Sequence, residues 1–269
     1  MGRLSALFAA AIPLAAATGP AAATACSAQS GPARATYIEL FTSEGCNSCP
    51  PADRWLSGLV REAPPAAAPV VALAFHVDYW DYIGWRDRFA SPVFTARQNA
   101  RKLATGGTFM YTPQVTVDGR DARNWRRTTH PAQLRFTPPV PAGADIRLDI
   151  RGQPGRQTVS LEVDLKPESG LTPAQSVAYL AVYENGQSSA VSAGENVGRR
   201  LAHDYVVREW LGPYVFDAGG HLAARRDIAR PDLDPARSGV AAVVESADGR
   251  RFLQALALPF CTGGGKGRE

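Results

Sequence analysis

This 269-residue chain has only four cysteines and four histidines, and it lacks a second CxxC; His76, His130, His203 and His221 show no paired spacing. A zinc site draws on four close ligands, and one Cys pair does not furnish them, so no resident metal and no cofactor is expected. HExxH, a phosphate-binding glycine loop and a nucleophilic serine elbow are all missing, which leaves metalloprotease, nucleotide and serine-hydrolase chemistry without a basis. Beyond the first 25 residues no run is long and apolar enough to cross a bilayer as a helix. Charge of one sign is also scarce. Basic residues number 29 against 25 acidic, a net of +4, and the excess is scattered. The cluster Arg120, Arg123, Arg126 and Arg127 lies in a turn-rich segment and reads as a solvated face, so no nucleic-acid partner is expected. There is no internal repeat.

What remains is a composition 45% apolar, that of a folded globular protein. Residues 1–25 carry a single charge at Arg3, an Ala/Leu-rich run broken by Pro13, Gly19 and Pro20, and a terminal Ala-Thr-Ala of the form a signal peptidase accepts. They read as a cleaved export signal, which makes the protein periplasmic or secreted and its cysteines oxidisable. Cys26 follows the cut site. Its expected partner is Cys261, because mature chain ends often lie close together; a free or lipid-bearing Cys26 is the alternative, although Ala23 stands where a lipidation signal usually has a larger aliphatic residue.

The order of patterns along residues 33–135 is strand, helix, strand. Tyr37 to Phe41 is a short apolar run leaving into a loop, Pro50 and Pro51 suit a first helical turn, and Val70 to Phe75 is continuous enough to be buried on both faces. That is a βαβ unit. A second helix opens at Ser91-Pro92 and stops at Gly106-Gly107, and Met110 to Gly119 gives a strand ending in an Asp-Gly turn. Residues 136–145 hold four prolines and read as a linker. From 146 to 262 the period becomes two, as in Ile146, Leu148, Ile150 and Val159, Leu161, Val163, with a closing hairpin around Asp248-Gly249. Several short strands with little helical patterning predict an antiparallel β-sandwich.

Cys46 and Cys49 sit in "TSEGCNSCPPAD", at the junction from strand to helix. A helix N-terminus places positive potential beside a sulfur and lowers its pKa, so Cys46 is expected as the exposed nucleophile. Cys49, a turn further in, is the resolving thiol that breaks a mixed disulfide by closing the Cys46–Cys49 bond. "FHVDYWDYIGW" brings His76, Asp78 and several large aromatics to the same sheet edge. Trp80 there reads as a substrate platform, and His76 and Asp78 read either as groups that tune the thiol or as structural members of a cap. In "GENVGRRLAHDYVVREW", the charges Glu195, Arg199, Arg200, His203 and Asp204 predict a salt-bridged hairpin.

Pro113 opens a later strand without an N–H to give the ladder, which a cis Thr112–Pro113 bond beside the thiols would accommodate. Strand, CxxC at a helix start and a cis-proline loop after Thr together resemble the thioredoxin superfamily. More specifically, "IELFTSEGCNSCPPAD", "FHVDYWDYIGWRDRFASPVFTARQ" and "YTPQVTVDG" resemble the exported thioredoxin-like family catalogued as domain of unknown function 1223. The resemblance implies an α/β plus all-β protein: an N-terminal thioredoxin-like domain followed by an antiparallel β-sandwich domain. It also implies a substrate site at Tyr111, Thr112 and Pro113, where an extended chain pairs with the Thr112 backbone. The expected function is thiol–disulfide exchange with protein or peptide thiols, aided by a redox partner protein. Two other readings stand beside it, a non-catalytic binding protein with a permanent Cys46–Cys49 disulfide and a copper-binding chaperone.

Overall fold

Pro50 and Pro51 begin α1 (Pro50–Arg61), which follows β1 (Thr24–Gln29) and β2 (Thr36–Thr42) and leads to β3 (Val70–His76). The computed structural model describes residues 24–61, 69–128, 133, 139–153 and 155–261. The expected leader lies outside these residues except for Thr24 and Ala25, which already pair with a later strand. Ser91 caps α2 (Pro92–Ala104) by accepting from the Val93 N–H, as the Ser-Pro pair predicts. β4 (Gln114–Val117) and β5 (Arg120–Asp121) turn through Asp118 and Gly119, whose φ angles of 49° and 79° match a tight hairpin turn.

Next come β6 (Ala144–Gln153) and β7 (Arg156–Leu165), whose alternating apolar residues are buried, and β8 (Ser176–Glu184). A small hairpin, β9 (Gln187–Ala190) and β10 (Arg200–His203), precedes β11 (Val206–Val215) and β12 (His221–Ala229). The described chain closes with β13 (Ser238–Ser246) and β14 (Phe252–Pro259).

Strand pairing overturns the expected fold class. An eight-stranded sheet runs β14-β13-β8-β11-β3-β2-β4-β5, so the N-terminal parallel pair and the C-terminal antiparallel strands belong to one layer. β11 makes the join. It pairs parallel to β3 at Val206 and Ala74 and antiparallel to β8 along its length. There is therefore no thioredoxin-like domain followed by a separate sandwich; the described residues form a mostly β protein with two α-helices. A four-stranded antiparallel sheet, β1-β6-β7-β12, stacks on one face of the large sheet, and Ile146, Leu148, Val159 and Leu161 meet Leu180, Val182, Val240 and Ala242 between them.

The two helices cover opposite faces of the N-terminal half. Ile38, Leu40 and Ala74 pack on Leu56 and Leu59 of α1, whereas Phe75 on the other face meets Phe94 of α2. α2 is also fixed by charge. Arg97 and Arg101, one helical turn apart, reach across the sheet to Glu39 of β2 and Glu245 of β13 at 2.5–2.8 Å, all four side chains buried. Burial alone would raise the Glu39 pKa, but the two guanidinium groups outweigh it and hold it at about 2. Arg97 also lies 4.7 Å above the Trp210 ring centre. Cys26 in β1 is bonded to Cys261 just beyond β14, which ties the edge strand to the end of the described chain.

Candidate functional site

Cys46 and Cys49 are joined by a disulfide across two residues, and their Cα atoms are 5.4 Å apart. Their loop leaves β2 and enters α1, and the Ala52 and Asp53 N–H groups donate to the Cys49 carbonyl as the helix begins. The Thr112–Pro113 bond is cis. Ser48, between the cysteines, and Pro113 line one groove of about 420 Å3 together with Tyr111, Thr112, Phe109 and Trp125. Thus the CxxC loop and the Thr-Pro loop meet, although Pro113 follows Cys46 by 67 positions.

The expectation of an exposed Cys46 is not met: both cysteines are 0% accessible. Residues distant in sequence cover the loop. Asn196, itself buried, donates through Nδ2 to the Glu44 and Cys46 carbonyls at 2.9 and 3.0 Å, and Glu195 accepts from the Asn47 N–H at 3.1 Å. On the opposite side Trp80 and Ile83 press on Gly45, where an added Cβ would come within 3.0 Å of the Trp80 Cβ. Trp80 is accordingly a brace rather than an open platform, and its indole N–H donates to Thr112 Oγ1 at 2.7 Å. Tyr111 faces the groove, while its carbonyl accepts from Gln98 and its hydroxyl donates to Asp121.

His76 and Asp78 are held elsewhere. His76 Nδ1 lies 2.6 Å from Asp87 Oδ2 in full burial, and Asp78 accepts from the Thr95 hydroxyl on α2 at 2.5 Å. Both tie the aromatic loop to neighbouring elements, and neither is placed against the disulfide by a hydrogen bond. The predicted salt-bridged hairpin is corrected as well. Glu195 goes to Asn47, Arg199 to Asn196, and Asp204 accepts from the Gly186 N–H, so these charges do not pair with one another.

His203 is the residue that sequence reasoning placed wrongly. It points from β10 into the protein, with Nε2 3.3 Å from Glu44 and Nδ1 3.7 Å from Asp53, at ion-pair distance but without hydrogen-bond alignment. Its ring crosses that of His76 at 4.8 Å. Burial disfavours the imidazolium, yet Asp53 and Glu44 outweigh it and raise the pKa to about 10. Glu44, which also accepts from the Trp85 indole at 2.8 Å, is held below its usual range despite its burial. No signal in the sequence marks this pair, because His203 sits among other charges, Arg199, Arg200 and Asp204, and nothing local joins residues 159 positions apart.

A raised histidine pKa stabilises the fold in full below the unfolded value near 6.5 and loses that stabilisation as pH rises through about 10. His203→Gln is therefore expected to lose most stability near pH 6.5, and the difference from the wild type should shrink toward pH 10. Urea unfolding of both proteins across that range measures it. A difference independent of pH would show that the imidazolium is not the stabilising form.

Among the described residues no group of three or more His, Cys, Asp or Glu is arranged to hold a metal. The two disulfides, and the lack among the described residues of a helix long and apolar enough to span a membrane, are compatible with an exported protein.

The family model described as "Protein of unknown function (DUF1223)" matches residues 37–245. The chain belongs to this family. The DUF1223 match begins in β2 and ends in β13, so it includes the CxxC loop, the cis-proline loop and the covering hairpin together. No functionally curated protein matches the chain. Among solved structures it is similar to a structural-genomics protein from Agrobacterium tumefaciens, with 22% identity, a TM-score of 0.59 and coverage of 88% of this chain and 99% of that one. It is also similar to HBP35 of Porphyromonas gingivalis, with 13% identity, a TM-score of 0.63 and coverage of 86% and 76%. At such identities the likeness is one of fold. It extends over most of this DUF1223 chain, in keeping with one shared sheet rather than a separable N-terminal domain.

Proposed function

We propose that this DUF1223 protein is an exported thiol–disulfide oxidoreductase whose working group is the Cys46–Cys49 pair. The observation that carries the reading is the meeting of that disulfide, at the start of α1, with a groove running from Ser48 to the cis-bonded Pro113. The helix N-terminus favours the thiolate of the reduced pair. In that state the Cys46 thiolate attacks a partner disulfide, one partner sulfur leaves as a thiolate, and a mixed disulfide forms. Cys49 then displaces the second partner sulfur and closes the Cys46–Cys49 bond, so the partner is reduced as the pair is oxidised. The reverse sequence oxidises a partner dithiol.

Burial of both sulfurs means that exchange proceeds from an opened loop. Asn196 and Glu195 hold that loop through three hydrogen bonds, each worth about 1–3 kcal/mol net, and opening it also lifts Trp80 and Ile83 off Gly45. The same burial favours a second reading, in which the disulfide is a permanent clip in a non-catalytic binding protein.

Trapping separates the two. Reduced Cys49→Ser, incubated with a small disulfide-bonded protein, is expected to accumulate a mixed disulfide through Cys46, whereas Cys46→Ser accumulates none. Mass spectrometry under non-reducing conditions reads both. If Cys49→Ser also stays unmodified while Cys46 is alkylated after denaturation, the clip reading stands and the oxidoreductase reading fails.

A further inference from the structure

The groove that ends at Ser48 carries chemistry beyond the thiol pair. Its walls are aromatic. Phe109 is 61% exposed despite its size, and Trp125, Tyr111 and Pro113 complete an apolar lining. An exposed aromatic that borders a concave apolar surface extends the apolar area a ligand can cover there.

The rim is basic. Arg126 lies with its guanidinium 4.4 Å above the Trp125 ring centre, is exposed, and makes no salt bridge among the described residues. Arg123, on the same rim, is bonded to Asp121 Oδ2 at 3.0 Å, and the Tyr111 hydroxyl donates to Asp121 Oδ1 at 2.7 Å. Asp121 is the one carboxylate in these contacts, and Arg123 already offsets it. Among the described residues Arg126 therefore leaves the groove with an uncompensated positive charge, set on the face of an aromatic ring that also forms the groove wall.

We propose that this groove binds an extended peptide segment of a partner protein, one that places an apolar side chain between Phe109 and Trp125 and a carboxylate beside it on Arg126. Charge complementarity decides between occupants: a basic segment would meet Arg126 unfavourably, and an uncharged apolar one would leave Arg126 without a partner. Stacked guanidinium groups suit planar carboxylates, because the ring fixes the plane in which the donors lie. The segment chemistry rests on the oxidoreductase reading only for the claim that the bound chain carries a cysteine toward the loop; the recognition itself needs no thiol.

The test uses the oxidised full chain and two labelled ten-residue peptides without cysteine, alike except that one carries Asp and the other Lys on both sides of a central Leu-Phe. Fluorescence anisotropy is expected to give roughly tenfold tighter binding of the acidic peptide at low salt, a gap that narrows as salt is added. Arg126→Glu should reverse the preference, and Phe109→Ala should weaken both peptides together. Both substitutions are at exposed positions, and matching unfolding curves confirm the fold. Equal binding of the two peptides, no saturable binding of either, or a preference that Arg126→Glu leaves intact overturns the proposal. Because the peptides have no sulfur, those outcomes are independent of whether Cys49→Ser traps a mixed disulfide.

Discussion

Arg101→Met is expected to lower the unfolding free energy by about 3–5 kcal/mol, the cost of leaving buried charge without its partner. Arg101 is 1% exposed, and its guanidinium bridges Glu39 and Glu245, two strands that lie on opposite sides of β8, β11 and β3 in the sheet order. Removing it leaves two buried carboxylates with Arg97 as their one cation among the described residues, and Glu39 with neutral donors from Tyr37 and Thr116. A third bond, from Nη1 to the Gly249 carbonyl at 2.8 Å, is lost at the same time. The loss also depends on pH. The depressed Glu39 pKa contributes stability that is present above the unfolded value of about 4.5 and disappears as pH falls through about 2. The wild type should therefore weaken across that acid window more steeply than Glu39→Gln. Chemical denaturation at pH 7 and below checks both statements, and a loss under about 1 kcal/mol in Arg101→Met would mean that the cluster is relaxed or hydrated.

A loss of similar size is expected when Cys26 and Cys261 are both replaced by alanine. Their bond closes a loop spanning 235 positions, for which chain entropy predicts roughly 5 kcal/mol as an upper value. Beyond that whole-fold loss, β1 should open locally. That strand pairs only with β6 among the described residues and alternates between half-buried and exposed positions, so it brings little apolar burial of its own. Hydrogen exchange of the Cys26 to Gln29 amides should accelerate by far more than that of β13, whose nine residues are all buried. Equal acceleration in both strands would mean that β1 stays docked without the bond and that the whole loss lies in global unfolding.

Local chemistry made several elements legible. Ser91-Pro92 and Gly106-Gly107 bound α2, and the Asp118-Gly119 and Asp248-Gly249 pairs lie in the two tight hairpins, β4–β5 and β13–β14. The CxxC and the Thr112-Pro113 step likewise carried their own signal, and so did the pairing of Cys26 with Cys261. The sheet order did not. Its decisive join is Val206 beside Ala74, more than a hundred positions apart, and period-two patterning in β11 fits an isolated sandwich as well as a shared sheet. The same limit hid the cover over the disulfide: Asn196 is an ordinary loop residue in sequence and becomes informative only once its amide is seen on the Glu44 and Cys46 carbonyls. Glu39 within "YIELF" was a visible oddity in the ion cluster, a charge inside a buried strand with no basic residue near it in sequence.

Equilibrating the oxidised protein in glutathione buffers of graded redox ratio, then counting alkylated Cys46 and Cys49 by mass spectrometry, asks most directly whether this sulfur pair trades electrons. The two residues should pass together from blocked to labelled at a reproducible ratio reached from both the oxidised and the reduced side. A pair that stays closed at every ratio, and opens only once denaturant is added, would mark the bond as a fixed part of the architecture.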